Sequence, residues 1–329
     1  MRIEEMPLAH QEQLINSMTR ELNQRFCDDR KVPLKIYSGE IFINRLKLFE
    51  EYDNYIQYCH EVQRMFGNTQ KYFEYYNQVK DKAINYIKES GAFQALNNDD
   101  MNKYKSKFNF AQSDIYKTDG IGKKFISIDM KKANFSALVA YGHSVGAEFF
   151  DNFDYAYFMR QFTDVEHIIK SKYIRQVIFG NCNPRRQVTY EKYLMEQLLE
   201  KLLNNKIIEA DLIKSLCSDE IIIKADTITA DIFDQIKAEV DNMCSTVPLR
   251  IELFRLGKVN GSGAFIKDIM HSIEDKEGYT YNLKCVTSDD APFIYRLIND
   301  EAVQDEDKIF NYNGKLAKFI EEPHLEIVY

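Results

Sequence analysis

Asp129, Asp219 and Glu220 are the residues of this chain whose types and setting could do chemistry together. Asp129 closes an apolar run containing Phe125, Ile126 and Ile128. Ninety residues later, Asp219 and Glu220 stand between the short apolar runs DLIKSLC and EIIIKAD. Short apolar runs read as buried strands, and two of them parted only by Ser218-Asp219 read as a tight hairpin. If the three strands are neighbours, the carboxylates converge on one sheet edge. Carboxylates held a few ångströms apart raise one another's pKa unless a cation intervenes. Such a cluster is the usual holder of two Mg²⁺ (or Mn²⁺) ions roughly 3.5–4 Å apart for in-line phosphoryl chemistry. The plainer reading is that acids are common at turns and strand ends whatever the function.

The intervening segment favours the first reading. From Ile168 to Tyr190 there are five basic residues, Lys170, Lys172, Arg175, Arg185 and Arg186, and no acid. Lys172, Arg175 and Phe179 fall at i, i+3 and i+7 and share a helical face. Cations on one face beside a metal-holding carboxylate pair are what a nucleoside triphosphate requires. A solvated basic helix is the bland alternative. A second basic stretch, Met101 to Lys132, has eight lysines against Asp114, Asp119 and Asp129 and could line a phosphate-backbone groove.

The elements that must position these residues follow from periodicity. HQEQLINSMTRELNQRF, EIFINRLKLFEEYDNYIQYCHEVQRMFG and TQKYFEYYNQVKDKAINYIKES each show helical spacing, the last with Thr69 as a plausible cap. Residues 97–118 read as a polar connecting loop. A strand at KKFISIDM comes next, then helices over 134–142, 147–161, 164–180 and 186–203, the hairpin, a helix over 231–243, and strands over 248–256, 263–270 and 280–287. Strand, helices, strand, strand, helix, strand is the split βαββαβ arrangement, which sets the first strand beside the hairpin in one antiparallel sheet. The expected class is therefore α+β, in three parts: a helical region 1–118, a palm-like core 119–260 with helices on one face of its sheet, and a C-terminal extension of strands and a helix, 261–329.

Taken together the motifs resemble the palm of template-dependent polymerases over about residues 120–260. Asp129-Met130-Lys131-Lys132-Ala133-Asn134-Phe135 looks like motif A, and Arg175-Gln176-Val177-Ile178-Phe179-Gly180 is similar to motif B of family A DNA polymerases and single-subunit RNA polymerases. Cys217-Ser218-Asp219-Glu220-Ile221 looks like motif C of the same family, and FRLGK (254–258) is similar to the Leu-Gly turn that follows the palm in reverse transcriptases. The chain departs from the pattern in Arg175 for Lys, Asn183 for Tyr and Ser218 for His. Its Gly180-to-Asp219 spacing is short, as in reverse transcriptases. The resemblance implies that Asp129 and Asp219 bind the metals, with Glu220 a second-line carboxylate. It places Lys172 and Arg175 on the triphosphate, Phe179 against the incoming base and Asn134 at the ribose 2′ position, with Lys131 and Arg185 as further nucleotide-binding residues.

Other features have simpler readings. Ser288-Asp289-Asp290 before Pro292 reads as a helix cap. Gly261-Ser262-Gly263 has no Lys-Ser/Thr after it and reads as a hairpin turn. His143 reads as structural, Cys182 lacks an identifiable His/Asp partner, and the tyrosines at 72, 75, 76 and 86 read as core.

Composition bounds the rest. A 329-residue chain with 45% hydrophobic and 29% charged residues can bury a sizeable core without staples. The six cysteines contain no CxxC pair, which excludes a zinc ribbon and makes a reducing compartment the default. MRIEEMPLAHQEQL has acids where a signal peptide needs basic residues, and no run approaches the ~20 apolar residues of a membrane span. A cytoplasmic protein with no membrane partner is expected. The net charge of −8 excludes a non-specific DNA coater but not a local basic channel. The leading expectation is a nucleotidyltransferase acting on nucleoside triphosphates and a nucleic acid primer and template, from a phage or mobile element. The alternatives are a degenerate palm with an interaction role and a template-independent terminal or self nucleotidyltransferase. Because Asn134 is smaller than the residue that usually excludes the 2′-hydroxyl, ribonucleotides are expected to be incorporated. Single-turnover incorporation checks this, and a strong deoxynucleotide preference would contradict it.

Overall fold

The computed structural model describes residues 6–110, 115–147 and 149–329. Residues 1–5, 111–114 (with Asp114) and 148 lie outside the described residues, so the expectations that touch them are not followed further.

The N-terminal region consists of helices α1 (Leu8–Asn16), α2 (Arg20–Arg30), α3 (Gly39–Leu48), α4 (Tyr52–Met65), α5 (Thr69–Glu89) and α6 (Gly91–Asn98). Two stretches whose spacing predicts one helix each hold two. In the first, the Ser17 hydroxyl donates to the Leu14 carbonyl (2.7 Å) and Thr19 restarts the chain by accepting the Leu22 amide. Side-chain hydroxyls compete with the helix for its own backbone, a conflict that apolar spacing does not register. In the second, Glu50 takes a positive φ of 57° between α3 and α4, and Glu51 turns to pair with Arg30 of α2. Asn68, rather than Thr69, caps α5 by accepting the Lys71 amide at 2.9 Å.

The remainder alternates: β1 (Lys124–Met130), α7 (Ala133–Val145), α8 (Tyr155–Met159), α9 (Glu166–Lys170), α10 (Lys172–Gly180), α11 (Pro184–Asn204), β2 (Ile213–Leu216), β3 (Glu220–Lys224), α12 (Ala230–Met243) and β4 (Leu249–Asn260). After these come β5 (Phe265–Met270), β6 (Thr280–Lys284), α13 (Ala291–Ile298), β7 (Ile309–Tyr312), β8 (Lys315–Lys318) and β9 (Glu326–Val328). The strands order β2-β3-β1-β4-β5-β6 with antiparallel neighbours, and β9 adds to the end of β4. The class is α+β, and the first four strands have the split βαββαβ order. β5, β6 and β9 continue the same sheet, while β7 and β8 form a separate hairpin.

Strand alternation gives the sheet two unlike faces. Ile126, Ile128, Met130, Ile221, Ile223 and Leu253 join the large core shared with α7, α11 and α12. Phe125, Ile222, Phe254 and Leu256 point the other way into a small cluster closed by Ile115. Asp129 shares this second face with Phe125 and Ser127.

Three local expectations need correction. The helix over 147–161 shrinks to α8, and that over 164–180 divides at Ser171, whose hydroxyl caps α10 through the Ile174 amide (3.0 Å) and also donates to buried Asp29 (2.6 Å). FRLGK is no turn: it runs inside β4, with Leu256 opposite Lys267 and Gly257 opposite Ile266. A Cβ at Gly257 would stand 2.7 Å from the Tyr329 ring, so the ring would have to shift to admit one.

The C-terminal region is clasped to the helices by Arg45 of α3. Its side chain is buried, donates to the carbonyls of Glu306, Asp307 and Ile309 at 2.8, 3.0 and 2.9 Å, and lies 3.9 Å from the Asp307 carboxylate. Removing one member of a buried charged network strands its partners. Arg45→Ala is expected to cost about 3 kcal/mol, read as a lower urea midpoint; an unchanged midpoint would contradict the clasp.

Candidate active site

β1 lies between β3 and β4, and that placement assembles the site. Asp129 stands directly opposite Glu220 on one side and Arg250 on the other. The next backbone amide, of Met130, donates to the Asp219 carbonyl at 2.8 Å, so the hairpin turn is tied to the end of β1. The turn is closed by the Cys217 amide donating to the Glu220 carbonyl at 2.9 Å. The structure thus ties the strand end that carries Asp129 to the turn that carries Asp219 and Glu220.

Protein cations partly answer this charge. Arg250 lies 3.2 Å from Asp129 and 3.2 Å from Glu252. Lys267 of β5, only 5% exposed, sits 3.9 Å from Glu220, 3.8 Å from Glu252 and 4.3 Å above the Phe254 ring. Ser127 donates its hydroxyl to Glu220. Burial lowers the affinity of the Lys267 amine for its proton, against the pull of Glu220 and Glu252. Burial also pushes the Asp129 carboxyl up to about 6; Arg250 opposes the shift, and Asp219, Glu220 and Glu252 add to it.

Glu191 is the residue that sequence reasoning missed. It lies on α11, 2% exposed, among Gln187, Leu194 and Leu198 on the buried face of that helix. A carboxylate within an apolar stripe was the available signal. Its Oε1 accepts the Asn134 amide at 2.5 Å. Burial, then the charge of Asp219, pushes its carboxyl up to about 7, opposed by the Asn134 bond. Asn134 of α7, expected at the ribose, is therefore held from α11 by a buried acid that also senses Asp219.

The basic residues divide. Arg175 of α10 lies 5.5 Å from the Tyr155 ring centroid and Lys132 lies 5.8 Å from it. Burial lowers the pKa of both side chains, and for Lys132 the charge of Arg175 adds to this while Asp154 opposes it. The buried Tyr155 hydroxyl has no hydrogen-bond partner among the described residues. Lys131 is exposed, its backbone amide donating to Pro248 at 2.9 Å. Arg185 is exposed on the first turn of α11. Lys172 instead lines a cavity of the helical region. Phe179 is a core residue, 1% exposed and edge-on to Phe135 at 6.3 Å, so it offers no free face to an incoming base. Asn183 donates to Asn97 at 2.6 Å.

The simpler features are placed as follows. Asp290 occupies the cap position of α13 with Pro292 in its first turn, though its side chain makes no cap bond. Gly261-Ser262-Gly263 joins β4 to β5. Cys182 is fully buried and its thiol is pushed up to about 11, which makes it inert. Tyr72 and Tyr76 are core, whereas Tyr86 is 38% exposed. Among the described residues, no three His, Cys, Asp or Glu side chains are grouped so that they could hold a metal ion, and no helix is long and apolar enough to cross a membrane.

The raised acid at Glu191 gives a testable pH signature. The folded state keeps its proton up to about pH 7, whereas the ordinary value is 4.5. The stability this contributes is complete below that ordinary value and is lost as pH rises through about 7. Glu191→Gln should remove on the order of 3 kcal/mol of pH-dependent loss, leaving the slopes due to Asp129 and Asp29, whose carboxyls burial also pushes up to about 6. Urea melts across this range check it, and a wild-type slope in the variant would contradict it.

No protein-family model matches the chain, and no curated protein shows significant similarity to it.

Proposed function

We propose that this chain is a palm-type nucleotidyltransferase that extends a nucleic acid primer on a template from nucleoside triphosphates. The observation that carries the reading is the junction of β1 with the β2–β3 turn, which ties the end of the strand that carries Asp129 to the turn that carries Asp219 and Glu220. In the reaction the primer hydroxyl oxygen bonds to the α-phosphorus, the bond to the β-phosphate breaks, and pyrophosphate leaves. The donor set suits Mg²⁺ or Mn²⁺: hard carboxylate oxygens whose mutual repulsion a cation would relieve. Asp129 and Asp219 would hold the ions, which when bound neutralise charge on the reacting phosphates. Glu220 stays with Ser127 and Lys267 as the second line.

Lys132 and Arg175 have no carboxylate at ion-pair distance among the described residues, and they meet at a tyrosine whose hydroxyl lacks a partner. A triphosphate supplies what all three want, an anion with acceptor oxygens. Asn134, fixed by Glu191, faces the choice of sugar. Positioning and charge stabilisation do most of the work in such chemistry.

One observation favours a second reading. Arg250 and Lys267 already neutralise part of the acid cluster from within, as expected of a palm that keeps its shape for an interaction role and holds no metal. Incubation with labelled NTPs or dNTPs and Mn²⁺, with and without primer–template, separates the two. Metal-dependent incorporation is expected, falling at least ~100-fold in Asp129→Ala and in Asp219→Ala. A thermal upshift with Mg²⁺ or Mn²⁺ should vanish in the same variants. Absence of both effects in the wild type selects the interaction role.

A further inference from the structure

A cavity of about 380 Å³ opens in the helical region where α2 and α4 meet the junction of α9 and α10. Its size lies in the range of small-molecule sites, roughly 300–1,000 Å³. Asp29, 5% exposed, lies on its wall. Its Oδ1 accepts from the Ser171 hydroxyl at 2.6 Å and the Tyr76 hydroxyl at 3.2 Å, while its buried Oδ2 has no donor among the described residues. A buried acceptor left unpaired costs about 1–3 kcal/mol, so a ligand N–H would be stabilising there. Phe26 and Tyr58 add aromatic wall. His167 is no free base: its ring nitrogens are engaged by Glu61 at 2.9 Å and Tyr72 at 3.0 Å.

The mouth carries the opposite charge. Arg30 and Lys170 are paired with Glu51 and Glu166, but Lys31 and Lys172 have no carboxylate at ion-pair distance among the described residues. Lys31 lies 5.6 Å from the Tyr173 ring centroid. An acid inside, aromatic walls and unpaired cations outside match a ligand with an N–H donor on a ring at one end and an anion at the other. An amine would answer Asp29 and leave the lysines without a counter-charge. Inorganic phosphate would answer only the lysines.

We propose that this cavity binds a nucleoside monophosphate, base inward at Asp29 and phosphate outward at Lys31 and Lys172, as a site separate from the Asp129–Asp219 cluster. Calorimetric titration of the full chain carrying Asp129→Ala, in EDTA, keeps the metal-dependent site out of the measurement. Its result is therefore independent of whether the transferase reading holds. At least one of AMP, GMP, CMP and UMP is expected to bind, with the matching nucleoside and inorganic phosphate each about tenfold or more weaker. Lys31→Ala with Lys172→Ala, both exposed, should weaken binding about tenfold. Asp29→Asn should do the same, with a retained cooperative unfolding transition and an unchanged far-UV spectrum as the control for folding. No binding by any of the four nucleotides, equal binding of phosphate alone, or unchanged affinity in the lysine pair overturns the proposal.

Discussion

β1 is hydrogen-bonded on both edges, to β3 and to β4, and the proposed transferase site depends on that register. Side chains alternate along a strand, so a slip of one residue would send Asp129 into the helix-packed core and bring Ile128 to the open face. The pattern of burial forbids the slip. Ile126 and Ile128 are wholly buried against the helices, and Phe125 stacks on Phe254 at 5.7 Å on the other face. Packing on two sides thereby fixes a polar constellation that packing itself does not need.

The frame was legible in the sequence because its signals are local. β1, the β2–β3 hairpin, α11 and α12 come from apolar runs and periods, and their order implies the sheet. Breaks at Ser17–Thr19, Glu50 and Ser171 were not legible, since each depends on a side chain engaging backbone or a remote partner. Of the candidate site, Asp129, Asp219 and Glu220 could be found because acids at strand ends announce themselves. Arg250, Lys267 and Tyr155 could not, because their relevance rests on cross-strand and inter-helix proximity. Phe179 shows the opposite limit: a motif position does not reveal whether a ring faces solvent or core.

α10 links the two regions that carry unsatisfied polar groups. Its cap, Ser171, reaches back to Asp29, and Lys172 opens onto the helical cavity. One turn later Arg175 reaches Tyr155, near Lys132. A short rigid element thus spans both places, and its N-terminal anchor is a hydroxyl shared between helix capping and a buried acid.

The Arg250–Asp129 pair carries a consequence for how metal would enter. An aspartate already facing a guanidinium is partly neutralised, so a divalent ion binding there would compete with a tethered cation. The arriving ion would either push the Arg250 head group aside or be repelled by it. Apparent affinity is reduced by the strength of the resident pair. Added salt, which screens the resident pair and the newcomer together, shifts that affinity less than it would at an open acidic site.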